Sequence, residues 1–173
     1  MPKSTNVLLI RHAEKPDDDH EKGLALAGQE RAQAYVVYFQ NYPSQAHPLK
    51  LDHIFAAQDS GKSHRPRLTI TPLAEALDLL IDLDYEDKDV KGAASAILAL
   101  DDANVLVCWH HGEILELAQR LGAPNQALPP KWPGDVFGWL LELSFDAKGE
   151  LSVAVVDQKL MYDDHGKKPP AGD

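Results

Sequence analysis

Asn6-Val7-Leu8-Leu9-Ile10-Arg11-His12 and, much further along the chain, Asn104-Val105-Leu106-Val107-Cys108-Trp109-His110-His111 decide how this sequence folds. Each begins as a short, continuously apolar and largely β-branched run, which suits a central strand covered on both faces. Each stops abruptly on basic side chains. In open α/β sheets, ligands bind outside the carboxyl ends of the strands. Arg11, His12, His110 and His111 therefore stand where chemistry is expected. His53-Ile54-Phe55-Ala56-Ala57 predicts a further strand, and the polar loop after it carries Lys62, His64, Arg65 and Arg67 to the same edge.

Between these runs the pattern turns helical. Leu24 to Tyr42 places Ala32, Tyr35, Val36 and Phe39 on one face, and further helices are predicted through Thr69 to Leu80, Asp89 to Leu100 and Glu113 to Leu121. The last stops at Gly122, with Pro124 beyond it. Ala13 to Gly23, with Pro16 and Asp17-Asp18-Asp19, reads as a loop, as does Ala123 to Pro133 with its four prolines. Gly138 to Phe145 and Leu151 to Val156 flank a turn and predict a hairpin. Alternating strands and helices imply an α/β fold, a three-layer α/β/α sandwich with a mostly parallel central sheet. A single domain over residues 1–164 is expected, followed by a polar, flexible tail over 165–173.

The chain has 173 residues, 44% hydrophobic and 25% charged, an ordinary balance for one domain that needs no disulfide or structural metal. Seventeen Lys and Arg against 27 Asp and Glu leave a net charge of −10, which opposes nucleic-acid phosphates and anionic membranes alike. The tryptophans Trp109, Trp132 and Trp139 accordingly read as core or pocket wall rather than as a stacking platform for bases. The one cysteine, Cys108, cannot form an intramolecular disulfide and reads as a small buried apolar residue. No apolar run approaches the roughly 18 residues of a membrane span. A cytoplasmic protein with neither nucleic-acid nor membrane partners is expected.

Arginine offers phosphate a planar fork of donors, and a neutral imidazole offers phosphorus a nitrogen nucleophile. An arginine and histidine cluster at the strand ends therefore fits a phosphoryl group. Metal ligation is the other use of histidines, but there is no His-Glu-x-x-His and no cysteine pair, and His110, His111 and Glu113 alone carry little signal. No cofactor and no metal are expected.

Leu8-Leu9-Ile10-Arg11-His12-Ala13-Glu14 resembles the strand-plus-Arg-His signature of the histidine phosphatase superfamily, with Ala13 where glycine is common. Three further blocks follow in matching order: Leu24, Gly28, Arg31 and Ala32; Ile54-Phe55-Ala56 with Ser63, Arg65 and Thr69; and Val105 to Trp109 with its two histidines. The resemblance spans about residues 6–122 and implies a phosphoglycerate mutase-like fold. It implies His12 as the nucleophile that becomes phosphorylated, with Arg11 and Arg65 holding the phosphate. Either His110 or His111 would complete the pocket. The spacing to Ile114 and Gly122 in most of the family favours His110, while the subgroup with Trp-Glu-His before this helix favours His111, to which the expectation leans narrowly.

The acid that protonates the leaving oxygen has no clear match. Glu113 is the candidate, against the plainer reading of an acidic residue stabilised at a helix N-terminus, and Glu75 and Asp59 stand behind it. Lys15 is a further candidate phosphate contact, with an exposed lysine as the plainer reading; Asp17 to Asp19 read as a solvated loop that would repel highly anionic substrates, and Arg67 as a surface or ion-pair residue. The function expected is a metal-independent phosphatase that hydrolyses a phosphomonoester, either a phosphorylated small molecule or a phosphoprotein, through phosphohistidine on His12. The alternatives are a catalytically weak phosphate-binding module and a phosphotransferase (mutase) of the same fold.

Overall fold

All four side chains of Val7-Leu8-Leu9-Ile10 are buried, but they serve two faces of one sheet. Val7 and Leu9 join one apolar cluster, Leu8 and Ile10 the other, as period-2 strand geometry requires. The structure, a computed structural model, describes residues 1–43 and 49–170. Its elements are β1 (Thr5–Arg11), α1 (Leu26–Gln40), β2 (His53–Ala56), α2 (Arg65–Leu77), β3 (Ile81–Asp82), α3 (Val90–Leu98), β4 (Asn104–Trp109), α4 (Ile114–Arg120), β5 (Trp139–Phe145) and β6 (Leu151–Asp157).

The sheet order is β3-β2-β4-β1-β5-β6. β3, β2, β4 and β1 run parallel, whereas β5 lies antiparallel to β1, and β6 antiparallel to β5. The sheet is thus mixed, because the predicted hairpin docks on β1 through the antiparallel β5 and leaves β6 as the edge strand. Val90, Ala93 and Ile97 of α3 and Ile114 and Leu117 of α4 share the cluster of Val7 and Leu9. Tyr35 and Phe39 of α1 and Ile70 and Leu73 of α2 share that of Leu8 and Ile10.

Register sets the site. Arg11 pairs with Trp109 across β1 and β4, so the two basic strand ends lie side by side. The His12 N–H then donates to the Trp109 carbonyl at 3.0 Å, and the Ala57 N–H to that of Cys108 at 3.1 Å, extending the ladder to the expected third strand end.

Three details differ from the sequence reading. Ile81–Asp82 adds a two-residue strand where only loop is predicted. α2 begins at Arg65 rather than near Thr69, with Pro66 in its first turn, where a missing N–H costs nothing. It ends at Leu77 because Asp78 turns left-handed at φ 53°, a conformation that a short polar side chain tolerates. Beyond β6, Tyr162–Gly166 forms a 3-10 turn with Asp164 buried; of the expected tail, residues 171–173 lie outside the described residues. Among the described residues, no helix is long and apolar enough to cross a membrane.

Candidate active site

His12 is the first residue past β1 and only 3% exposed. Its Nδ1 lies 2.7 Å from the Ala13 carbonyl, which can only accept, so Nδ1 carries the proton and Nε2 the lone pair. The Ala13 N–H donates to Thr69 Oγ1 at 2.8 Å, and that hydroxyl donates to the Arg65 carbonyl at 2.7 Å. One threonine thereby ties the turn after β1 to the first turn of α2. Burial above all pushes the His12 imidazole well below its ordinary pKa, against the pull of the Ala13 hydrogen bond and with help from the charges of Arg11, His110 and Arg65. The ring is neutral at neutral pH.

Arg11 is 1% exposed, and carbonyls hold it rather than carboxylates. Nη1 donates to Gly134 at 2.8 Å, to Val136 at 2.9 Å and, at longer range, to Pro133 at 3.5 Å. The guanidinium carbon lies 3.8 Å from the centroid of the Phe137 ring, a cation–π contact. Arg11 Nε is buried with no partner among the described residues. Burial lowers the guanidinium pKa to about 10, with Arg65 adding to the fall and Glu14 and Asp135 opposing it, and the group stays charged at neutral pH. Arg65 repeats the arrangement: Nη1 donates to the Glu21 carbonyl at 2.9 Å, and Nε is buried without a partner. Carbonyl dipoles fix where a guanidinium points and leave its charge uncompensated. Two such groups, each with an unused N–H, make an anion site beside His12.

The histidine ring against His12 is that of His110, with centroids 5.1 Å apart in an edge-on arrangement. His111 is exposed at the rim near Gly134. Burial lowers the pKa of His110, with Arg65 and Arg11 adding to it and Asp87 and Glu113 opposing. His111 is lowered too, by burial and then by Arg11. Glu113 precedes α4 and pairs with Lys88. Lys15 is exposed and pairs with Asp19 at 3.4 Å. Arg67 donates to Asp59 Oδ2 at 2.9 Å, an ion pair, while Asp59 Oδ1 is buried without a partner among the described residues. Glu75 is exposed on the third turn of α2 and is not brought to His12. Among the described residues no group of three or more His, Cys, Asp or Glu side chains is arranged to hold a metal ion.

No family model matches the sequence, and no curated protein matches it in sequence either. Solved structures do match in shape. A phosphoserine phosphatase of Entamoeba histolytica, crystallised as a mutant with phosphoserine, superposes with a TM-score of 0.57 at 12% identity, covering 91% of this chain and 99% of that one. The protein histidine phosphatase SixA in complex with tungstate gives 0.55 at 12% identity, over 88% and 97%. A phosphoglycerate mutase of Plasmodium falciparum gives 0.56 at 14% identity, over 92% and 94%. This is the phosphoglycerate mutase-like fold.

In this phosphoglycerate mutase-like fold, three contributions to the site escape a reading of the sequence. The carbonyls of residues 133–136 grip Arg11, though the segment reads only as a proline-rich loop. Phe137 packs on Arg11 and lies 6.1 Å from the His12 ring; its signal is a large aromatic just before a strand. Asp87 reaches the site because its carbonyl accepts from Trp109 Nε1 at 2.9 Å, and its carboxylate acts first among the charges that raise His110. Gly28, part of the helix-opening block, has a steric reason: a Cβ there would lie 2.5 Å from the Glu14 carbonyl oxygen.

Proposed function

We propose that the protein is a metal-independent phosphatase that hydrolyses phosphomonoesters through a phosphohistidine on His12. One observation carries this reading: a neutral imidazole, its Nδ1 tied to the Ala13 carbonyl, stands beside two guanidinium groups whose Nε atoms have no partner among the described residues. His12 Nε2 attacks phosphorus while the phosphorus–ester oxygen bond breaks, and the leaving oxygen takes a proton and departs as an alcohol. Water then attacks the phosphohistidine, the nitrogen–phosphorus bond breaks, and inorganic phosphate leaves. The proton that water gives up restores the acid. Arg11 and Arg65 hold the phosphoryl oxygens and meet the charge that grows on them.

His110 is the second pocket histidine in this reading, supported by its ring contact with His12, and His111 and Lys15 belong to the rim. Asp87 is the better proton donor. Glu113 is engaged by Lys88, whereas the Asp87 side chain has no hydrogen bond or ion pair among the described residues. The chain then works as one unit over residues 1–164, a three-layer α/β/α sandwich. The substrates of the structurally similar proteins support a phosphorylated small molecule or phosphoprotein as substrate, the net charge of −10 disfavours nucleic acid and anionic membrane as partners, and the lone cysteine fits a reducing, cytoplasmic setting.

The test is hydrolysis of p-nitrophenyl phosphate from about pH 5 to pH 8 with a chelator present, for the wild type and for His12→Ala, His110→Ala, His111→Ala and Asp87→Asn. Turnover is expected to survive the chelator, vanish in His12→Ala and fall further in His110→Ala than in His111→Ala. A wild type that is stabilised by phosphate or vanadate yet turns nothing over would make the protein a phosphate-binding module instead.

A further inference from the structure

The last described segment of the chain reaches both halves of the site. Asp164 is 4% exposed, and its carboxylate grips Arg31 with two bonds, at 2.6 Å to Nη2 and 3.1 Å to Nη1. Its Oδ2 also accepts the N–H groups of Leu160 and Met161, both at 3.1 Å, so the local turn pre-sets the carboxylate. Arg31 is fully buried and donates from Nε and Nη2 to Glu14 at 2.8–3.1 Å, and from Nη1 to Gln158 Oε1 at 3.0 Å. Glu14 follows Ala13, whose carbonyl fixes the His12 ring. A continuous chain of charge-assisted hydrogen bonds, buried at Asp164 and part-buried at Glu14, thus runs from Asp164 to the residue beside the nucleophile's anchor.

A second line runs to Arg11. Lys167 Nζ donates to the Asp135 carbonyl at 2.7 Å and lies 3.6 Å from its carboxylate, in the middle of the loop whose carbonyls hold Arg11. The Lys167 carbonyl accepts from Trp139 Nε1 at 2.6 Å. Between the two lines, Gly138 lies against Asp164 so closely that a Cβ would come within 2.4 Å of the carboxylate, and its carbonyl accepts the Gln158 N–H at 2.9 Å. Gly138 follows Phe137, which covers Arg11.

We propose that residues 158–167 form a strap that positions the active site, Asp164 acting through Arg31 and Glu14 on the turn that holds His12, and Lys167 acting through Asp135 on the loop that holds Arg11. Both are positioning residues, and neither touches substrate. The proposal rests on reading His12 as nucleophile and Arg11 as phosphate ligand. The two lines predict different kinetic losses: misplacing the nucleophile lowers kcat, and loosening a phosphate ligand raises KM.

The test combines amide hydrogen exchange with p-nitrophenyl phosphate kinetics on the full chain, for Asp164→Asn and Lys167→Met. Asp164→Asn is expected to speed exchange at Ala13 and Ala25 about tenfold and to lower kcat by about tenfold to a hundredfold with KM nearly constant. Lys167→Met is expected to speed exchange at Val136 and to raise KM about threefold to tenfold with kcat nearly constant. Faster exchange confined to residues 158–167, or equal kcat and KM losses in both variants, overturns the strap. If Asp164→Asn does not fold, Lys167→Met, at a partly exposed position, decides the matter by the same readouts. A wild type without turnover counts against the phosphatase reading, and exchange at Ala13, Ala25 and Val136 then decides the strap alone.

Discussion

Arg11 and Arg31 are buried alike, at 1% and 0% exposure, and are held in opposite ways. Arg31 meets two carboxylates, Glu14 and Asp164, and its pKa is raised by Tyr35 and by its bonds to Asp164 and Glu14, although burial works against the charge. Arg11 is bonded to carbonyls and is pushed down by the same burial. Arg65 and Arg67, two residues apart, repeat the contrast at the surface: the first is bonded to the Glu21 carbonyl, the second to the Asp59 carboxylate. A carboxylate uses up a guanidinium's charge, whereas carbonyls aim it and leave it for a ligand. The contrast separates arginines whose charge is spent on carboxylates within the protein from arginines whose charge is left available to a ligand.

Removing each buried arginine in turn separates the two functions. Arg11→Met is expected to lower kcat/KM for an aryl phosphate by about 10³- to 10⁴-fold, while urea unfolding shows a loss of no more than about 2 kcal/mol. Arg31→Met should reverse the order of the two losses, costing about 3–5 kcal/mol in the same unfolding experiment because Asp164 and the part-buried Glu14 are left without their cation, while kcat falls by no more than the tenfold to hundredfold expected of Asp164→Asn. Equal stability losses in the two variants would end the distinction.

Ligand linkage sharpens it. Inorganic phosphate at about 100 times its dissociation constant is expected to stabilise the wild type by about 2.7 kcal/mol. Arg11→Met and Arg65→Met should lose that increment, and Arg67→Met should keep it, as thermal melts with and without phosphate would report.

The histidines beside the uncompensated arginines add a pH signature. His12, His110 and His111 are all held below the ordinary histidine value of 6.5, so the unfolded chain binds protons that the folded one refuses. Stability is therefore complete above about pH 6.5 and falls as pH drops below it, by up to about 1.4 kcal/mol per unit for each of the buried rings of His12 and His110, with the exposed His111 adding less because solvent screens it. Asp164 has the opposite chemistry and a different window. Burial would raise its pKa, but Arg31 and the Met161 and Leu160 amides hold it below 3.8, so its contribution is lost only in stronger acid. Urea midpoints at about pH 7.5, 6.5 and 5.5 would expose the histidine slope. Saturating phosphate should flatten it by favouring the protonated rings. The smallest effect belongs to Arg67→Ala, whose half-exposed pair with Asp59 should be worth less than about 1 kcal/mol by the same melts.

The legible parts of this molecule share a local cause. Val7 to Ile10 and Val105 to Cys108 announce strands because unbroken apolar, β-branched runs are stable only between two covering layers. Arg11, His12 and His110 are visible as candidates because they follow those runs directly. β3 was not legible, since two residues, Ile81 and Asp82, leave no periodic pattern. Asp87 was hidden by its acidic neighbours, and only the Trp109 side chain singles it out.

By itself, the sequence determined which segments become strands and helices, that the basic strand ends face one edge of the sheet, and that His12 stands among arginines. These follow from side-chain patterns of a few residues. Only the tertiary structure decided which histidine meets the His12 ring, because adjacent residues past a strand diverge and the β1–β4 register chooses between them. It also decided which arginine is neutralised. Gly134 and Val136 reach Arg11, and Asp164 reaches Arg31, across more than a hundred residues of chain. A guanidinium's charge is free or spent according to those distant partners, not its neighbours in sequence.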